Sequence, residues 1–225
     1  MRVLVLPGMD GGAALSAAFR GRLAEHHDVV AVEYPGDEAW SYERVAAHVR
    51  ALLGARPEAA GLIAESYSGP VAIRLAAEPP SSLRAVILVA TFARSPMPWW
   101  VPVRALGPLV RRPPPPFAIR HLMLDADGGD PDAVGAAIAA VSPSVMARRM
   151  REVAAVDVRA ELARTRVPIL ALRATRDRLV PASRFVARDA PAMDVRAIEG
   201  PHLLLHARPR ACADAISSWL SEPAR

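Results

Sequence analysis

Three residues of this chain have the types and positions needed to activate a serine. Ser66 follows the apolar run Leu62-Ile63-Ala64, stands among small residues, and precedes a helical segment. A serine hydroxyl is a poor nucleophile until a base takes its proton. Histidine does this near neutral pH, and a carboxylate on its far side fixes the tautomer and stabilises the imidazolium. Both partners lie downstream, each after another apolar run. Asp177 sits in Arg176-Asp177-Arg178-Leu179-Val180-Pro181, and His202 follows Gly200-Pro201. The chemistry implied is attack on an acyl carbon, with Ser66 as nucleophile, His202 as base and Asp177 as the orienting acid.

Acyl transfer also needs N–H donors where the oxyanion develops. Tyr67, directly after the nucleophile, offers one, and Met9 in Pro7-Gly8-Met9-Asp10-Gly11-Gly12 offers the other. That glycine-rich loop lacks the Gly-x-Gly-x-x-Gly spacing of a phosphate cradle and has no lysine. His206 rivals His202 as base and shares a helical spacing with it, which also suggests a metal pair. The zinc-protease pattern places a glutamate after its first histidine, however, and Leu203 stands there. No metal and no cofactor are expected. Cys212 is the only cysteine, reads as an idle thiol, and rules out an intramolecular disulfide.

These residues need a scaffold that holds them at one edge. Six mainly apolar runs recur along the chain: Val3–Leu6, Val29–Val32, Leu62–Ala64, Ala85–Ala90, Ile169–Leu172 and Val195–Ile198. Continuous apolar runs suit strands covered on both faces, as in a parallel sheet between helix layers. Arg196 interrupts the last run and places it near an edge. Segment 41–53 has helical periodicity with Ser41 as N-cap. The rhythm breaks between 94 and 161, where Trp99, Trp100 and the run Pro113 to Pro116 occur. Helices there are expected to start at Asp130-Pro131 and Ser142-Pro143. The expected layout is an α/β core over 1–93 and 162–225, with a helical lid over 94–161 inserted after the fourth strand. Trp99, Trp100, Met146 and Met150 of the lid are candidates to line an apolar acyl pocket. Arg111, Arg112, Arg148, Arg149 and Arg151 are either a solvated face or a docking patch for an acidic carrier protein or anionic substrate tail.

Composition narrows the remaining classes. With 225 residues, 52% of them hydrophobic, the chain can bury one large core. All 28 basic residues are arginine, and net charge is +5. They are scattered rather than gathered in a stripe, so no nucleic-acid footprint is present. No apolar stretch approaches a membrane span. The first apolar run is too short for a signal peptide and reads as a strand. A soluble cytoplasmic protein is the expectation.

The sequence resembles the α/β-hydrolase superfamily over nearly its whole length. The resemblance rests on Leu6-Pro7-Gly8-Met9, Ala64-Glu65-Ser66-Tyr67-Ser68-Gly69, Arg176-Asp177-Arg178-Leu179-Val180-Pro181 and Gly200-Pro201-His202. It looks most like small capped carboxylesterases, those that cleave pimeloyl-carrier-protein methyl esters among them. Ala64 and Ser68 replace the two glycines of the usual Gly-x-Ser-x-Gly, and Pro7-Gly8 replaces a common His-Gly. The chain begins at the strand the family counts as third, which implies a smaller sheet. The resemblance implies hydrolysis of a carboxylic ester or thioester. Acyl transfer, a lyase reaction, cofactor-free peroxidase chemistry or a slow ligand-binding module remain as alternatives on the same triad.

Overall fold

The computed structural model describes residues 1–97, 114–185 and 193–222. Its centre is a six-stranded sheet of β1 (Arg2–Leu6), β2 (Asp28–Ala31), β3 (Ala60–Glu65), β4 (Leu83–Val89), β5 (Ile169–Ala174) and β6 (Met193–Ile198). The strand order is β2-β1-β3-β4-β5-β6, and every adjacent pair is parallel. Parallel pairing requires a crossover between consecutive strands, and helices provide it.

Alternation along the strands sends side chains to two cores. Leu4, Leu6, Leu62 and Ala64 face α2 (Tyr42–Gly54), α3 (Gly69–Ala77) and α7 (Arg159–Ala163). Val3, Val5, Ile63 and Leu172 face α1 (Ala17–Leu23) and α9 (Pro209–Ser221). Each fully buried Leu, Ile or Val is worth about 1.5–3 kcal/mol over exposure, so both faces must be covered. The edge strand β6 carries Arg196, which pairs with Glu222 at 2.7 Å. A charge there discourages pairing with another chain.

The expected helix starts are present. Ser41 Oγ accepts from Arg44 N at 3.3 Å and opens α2. Asp130 Oδ1 accepts from Asp132 N at 2.9 Å at the start of α5 (Pro131–Ala139). Ser142 Oγ accepts from Val145 N at 3.4 Å at the start of α6 (Pro143–Ala155). These satisfy N–H groups that a helix leaves without partners. With α4 (Pro116–Leu122), α5 and α6 form the described helices inserted after β4. The insertion leaves and returns through a narrow neck. Ser95 N donates to Val156 O at 2.9 Å, and Val158 N donates to Ala93 O at 2.7 Å. Helix α7 runs across residue 161 and packs on the core. Among the described residues, no helix is long and apolar enough to cross a membrane.

Candidate active site

Strand β3 passes through a single tight turn, Ser66–Ser68, into α3. Ser66 has φ +49°. A non-glycine residue enters this left-handed region only where surroundings hold it, because its Cβ is crowded there. Three contacts hold it here. Thr91 Oγ1 donates to Ser66 O. Gly69 lets Thr91 approach, since any Cβ at 69 would strike that side chain. Ser68, fully buried, donates from Oγ to Pro7 O and accepts from Tyr34 OH at 2.8 Å. Ser68 therefore does more than fit a crowded position. It ties the turn carrying Ser66 to the loop carrying Met9.

Asp177 lies in the loop after β5. Its Oδ1 accepts from Leu179 N and Val180 N, both at 2.8 Å. That leaves Oδ2 aimed at His202 Nδ1, 2.8 Å away. His202, in the loop after β6, places Nε2 2.8 Å from Ser66 Oγ. An ionised carboxylate can only accept, so Nδ1 carries the ring proton and Nε2 accepts from the serine hydroxyl. All three side chains are buried, Ser66 at 9% and His202 at 4% exposure. The structure thus brings Ser66, His202 and Asp177 into one hydrogen-bonded line.

The two proposed oxyanion donors lie on the segments that Ser68 joins. Tyr67 follows Ser66, and its ring packs on Tyr42 with centroids 4.7 Å apart. Met9 sits in a turn closed by Gly11 N donating to Gly8 O at 3.1 Å. Gly11 has φ +74°, and the Arg149 guanidinium occupies the space a Cβ would need. Glycine is required there on both counts. Arg149 reaches from α6 and donates to Met9 O at 2.8 Å and Pro35 O at 2.9 Å. Burial raises the Asp10 carboxyl in this loop, against the opposing pull of Gly12 N and Arg149.

Of the five arginines expected on a solvated or docking face, Arg149 is corrected. Arg149 is 3% exposed and braces the loop of Met9, so it is not available for docking. Arg148 is paired with Glu152 at 2.7 Å. Arg111 and Arg112 lie outside the described residues, as do Trp99 and Trp100. Met146 is buried with Val141 and Val145, and Met9 and Met150 pack against that group. The two methionines thus flank the loop of Met9. His206, the rival base, is committed elsewhere. Its Nε2 accepts from Asp130 N at 3.0 Å, and its Nδ1 donates to Leu15 O at 3.2 Å. Among the described residues, no three His, Cys, Asp or Glu side chains form a set suited to a metal.

Sequence reasoning missed Glu65, the residue before Ser66. It is 5% exposed, and its Oε1 accepts from Leu205 N at 3.1 Å. Burial pushes its carboxyl up to about 7.

A buried serine on a strand-to-helix turn of a parallel sheet, lined up with a histidine and an aspartate from later strand ends, defines a hydrolase of α/β type. The chain matches the alpha/beta hydrolase family over residues 3–215, belongs to that family, and is an enzyme. No curated protein matches the sequence significantly. Solved structures share its fold. The enol-lactonase from Burkholderia xenovorans LB400 is 18% identical, with 98% of this chain and 91% of that chain covered and a TM-score of 0.82. A thermophilic esterase from Thermogutta terrifontis is 21% identical, with 98% and 89% covered and a TM-score of 0.82. A bromoperoxidase from Bacillus anthracis is 15% identical, with 98% and 92% covered and a TM-score of 0.85.

Proposed function

We propose that this hydrolase cleaves a small carboxylic ester or thioester through an acyl-enzyme on Ser66. The observation that carries this reading is the line Ser66 Oγ–His202 Nε2–Asp177, with both hydrogen bonds at 2.8 Å. His202 Nε2 takes the hydroxyl proton as Ser66 Oγ attacks the acyl carbon. Asp177 holds the imidazolium. The N–H groups of Met9 and Tyr67 receive the oxyanion. His202 then gives its proton to the departing alcohol or thiol. In the second half, His202 takes a proton from water, the resulting hydroxide attacks the acyl carbon, and Ser66 is released with its proton restored.

The apolar group of Met9, Met146 and Met150 favours an apolar acyl chain. A carrier-borne thioester would have to meet Arg148 and Arg151 on α6, because Arg149 is inside. Nitrophenyl esters with stopped-flow detection test the scheme. A burst is expected, a fluorophosphonate should label Ser66, and His202→Ala should abolish the burst whereas His206→Ala keeps it. Labelling at Ser68, or the burst surviving in His202→Ala, overturns the assignment.

A further inference from the structure

The residue preceding the nucleophile carries a carboxyl group that the hydrolytic scheme leaves idle. Glu65 ends β3 inside the protein, where an ionisable group is costly to keep. An apolar or amide side chain would complete the strand without that cost. What Glu65 does instead is reach across the sheet edge. Its Oε1 accepts from Leu205 N at 3.1 Å, over 140 residues of sequence. Leu205 lies in the short helix α8 (Leu204–Ala207), three residues beyond His202. The same stretch is tied back on itself, with Leu204 N donating to His202 O at 2.9 Å and Ala207 N to Leu203 O at 2.9 Å. Glu65 thus links the strand of Ser66 to the backbone that carries His202.

The groups facing this carboxyl come from four elements. His202 lies in the loop after β6, Asp177 in the loop after β5, Asp10 in the loop after β1, and Cys212 on α9. Burial raises Glu65 most. The Leu205 N–H and His202 oppose that rise, while Asp10 and Asp177 add to it, and the balance falls at about 7. The carboxyl therefore changes charge where imidazoles change theirs. Of these four groups, only His202 gains a positive charge during the reaction.

We propose that Glu65 is a positioning residue for His202, fixing the backbone just beyond it and favouring its imidazolium form with a negative charge in addition to that of Asp177. This rests on the reading of Ser66 and His202 as nucleophile and base. The charge acts through space and the tether through the backbone, so they are separable. Glu65→Gln keeps the size and the acceptor for Leu205 N but removes the charge. Glu65→Met keeps the length and removes both.

The decisive measurement is the NMR titration of the His202 ring in the wild type and in Glu65→Gln, which does not depend on turnover. In Glu65→Gln the titration should move towards acid, and kcat should fall about tenfold with KM nearly unchanged. The acid limb of kcat/KM should move the same way. Glu65→Met should lower kcat further, to about a hundredth of the wild type, as the tether is lost with the charge. An unmoved His202 titration in Glu65→Gln overturns the proposal, even if kcat falls in step with a lower melting temperature, because that is mere structural damage. A wild type that fluorophosphonate does not label at Ser66 fails the hydrolase reading instead, and the titration comparison still reports on the link between Glu65 and His202.

Discussion

The loops at the carboxyl end of the sheet and the helices inserted across them hold their polar groups in different ways. Asp177 Oδ1 is fixed by Leu179 N and Val180 N, two and three residues on. Asp10 Oδ2 accepts from Gly12 N at 3.0 Å, again two residues on. The insertion is held by bonds that span the chain. Arg149 reaches Met9 O, Asp125 reaches Arg176 and Arg208, and Arg178 donates to His121 O. A local turn holds its side chain with little help from elsewhere. A long-range charged bond holds only while both of its segments are in place. The aim of Asp177 is therefore built into its own short loop, Ser66 and His202 lean also on Thr91, Ser68 and Glu65 from distant segments, and the cover above them depends on a few arginines.

The largest effects should come from the local set. Ser66→Ala should lower turnover at least ~10³-fold. Asp177→Asn should lower it by up to ~10⁴-fold, because an amide facing Nδ1 favours the wrong tautomer. Both variants should melt close to the wild type, since the loop bonds to Leu179 N and Val180 N can persist on the remaining carbonyl oxygen. Thermal melts beside ester kinetics check this. A large fall in melting temperature with Asp177→Asn would mean that the loop is not self-supporting.

The long-range set should answer in stability first. Arg149→Ala leaves the partly buried Met9 O and Pro35 O without this donor. At ~1 kcal/mol for each hydrogen bond lost from a partly buried carbonyl, the loss is about 2 kcal/mol. Arg149→Lys should recover only part, since one ammonium cannot reproduce a fork that spans two carbonyls. The neighbouring Arg148, 41% exposed, should matter far less, by about 0.5 kcal/mol when changed to alanine. Equal losses at 148 and 149, measured by urea unfolding, would erase the distinction between the two.

Glu65 gives a pH signature of the buried set. Its carboxyl is raised to about 7 from an ordinary 4.5, so between those values the folded chain holds a proton that the unfolded chain has lost. The folded state binds more protons there, and stability contributed by this group falls as pH rises across the window. Relative to Glu65→Gln, the wild type should lose at most about 3 kcal/mol between pH ~4.5 and ~7. Parallel stability curves for the two proteins over that window would show that Glu65 does not titrate there.

What was legible in the sequence follows the same division. Strand runs, the caps Ser41, Asp130 and Ser142, and candidate residues at three strand ends are all set by neighbours within a few positions. The structure moves strand ends by one or two residues, as at β3, which extends over Ala60–Glu65. The roles of Glu65 and Ser68 were not legible, because their partners Leu205 and Pro7 lie 140 and 61 residues away. Arg149 left a trace that was open to reading. It stands four residues from both Val145 and Val153, on the buried face of α6. An arginine in an apolar stripe signals a buried partner, and charge counting alone hides it.

The smallest expected effect tests whether the cover and the triad communicate. Asp125, in the segment after α4, pairs with Arg176 at 2.6 Å and Arg208 at 2.9 Å. Arg176 precedes Asp177 in the chain and also meets Glu199 at 2.8 Å. Arg208 Nε donates to Glu199 O at 3.1 Å, three residues before His202. Asp125 thus bridges the loop of the acid and the loop of the base from the inserted segment. Burial works against its ionised form, but bonding to Arg176 and the charge of Arg208 outweigh that and hold the carboxyl below its ordinary range. Asp125→Asn should lower kcat/KM about threefold in dilute buffer, a size typical of a partly exposed ion pair. Arg176 is 40% exposed, so salt should weaken this leg in the wild type as well. At about 0.5 M salt the two proteins should converge, because screening does to the wild type what the substitution does to the variant. A threefold gap that persists at high salt would place the coupling in the more buried Arg208 leg. No gap at either salt would leave the inserted segment as a cover that does not influence the alignment beneath it.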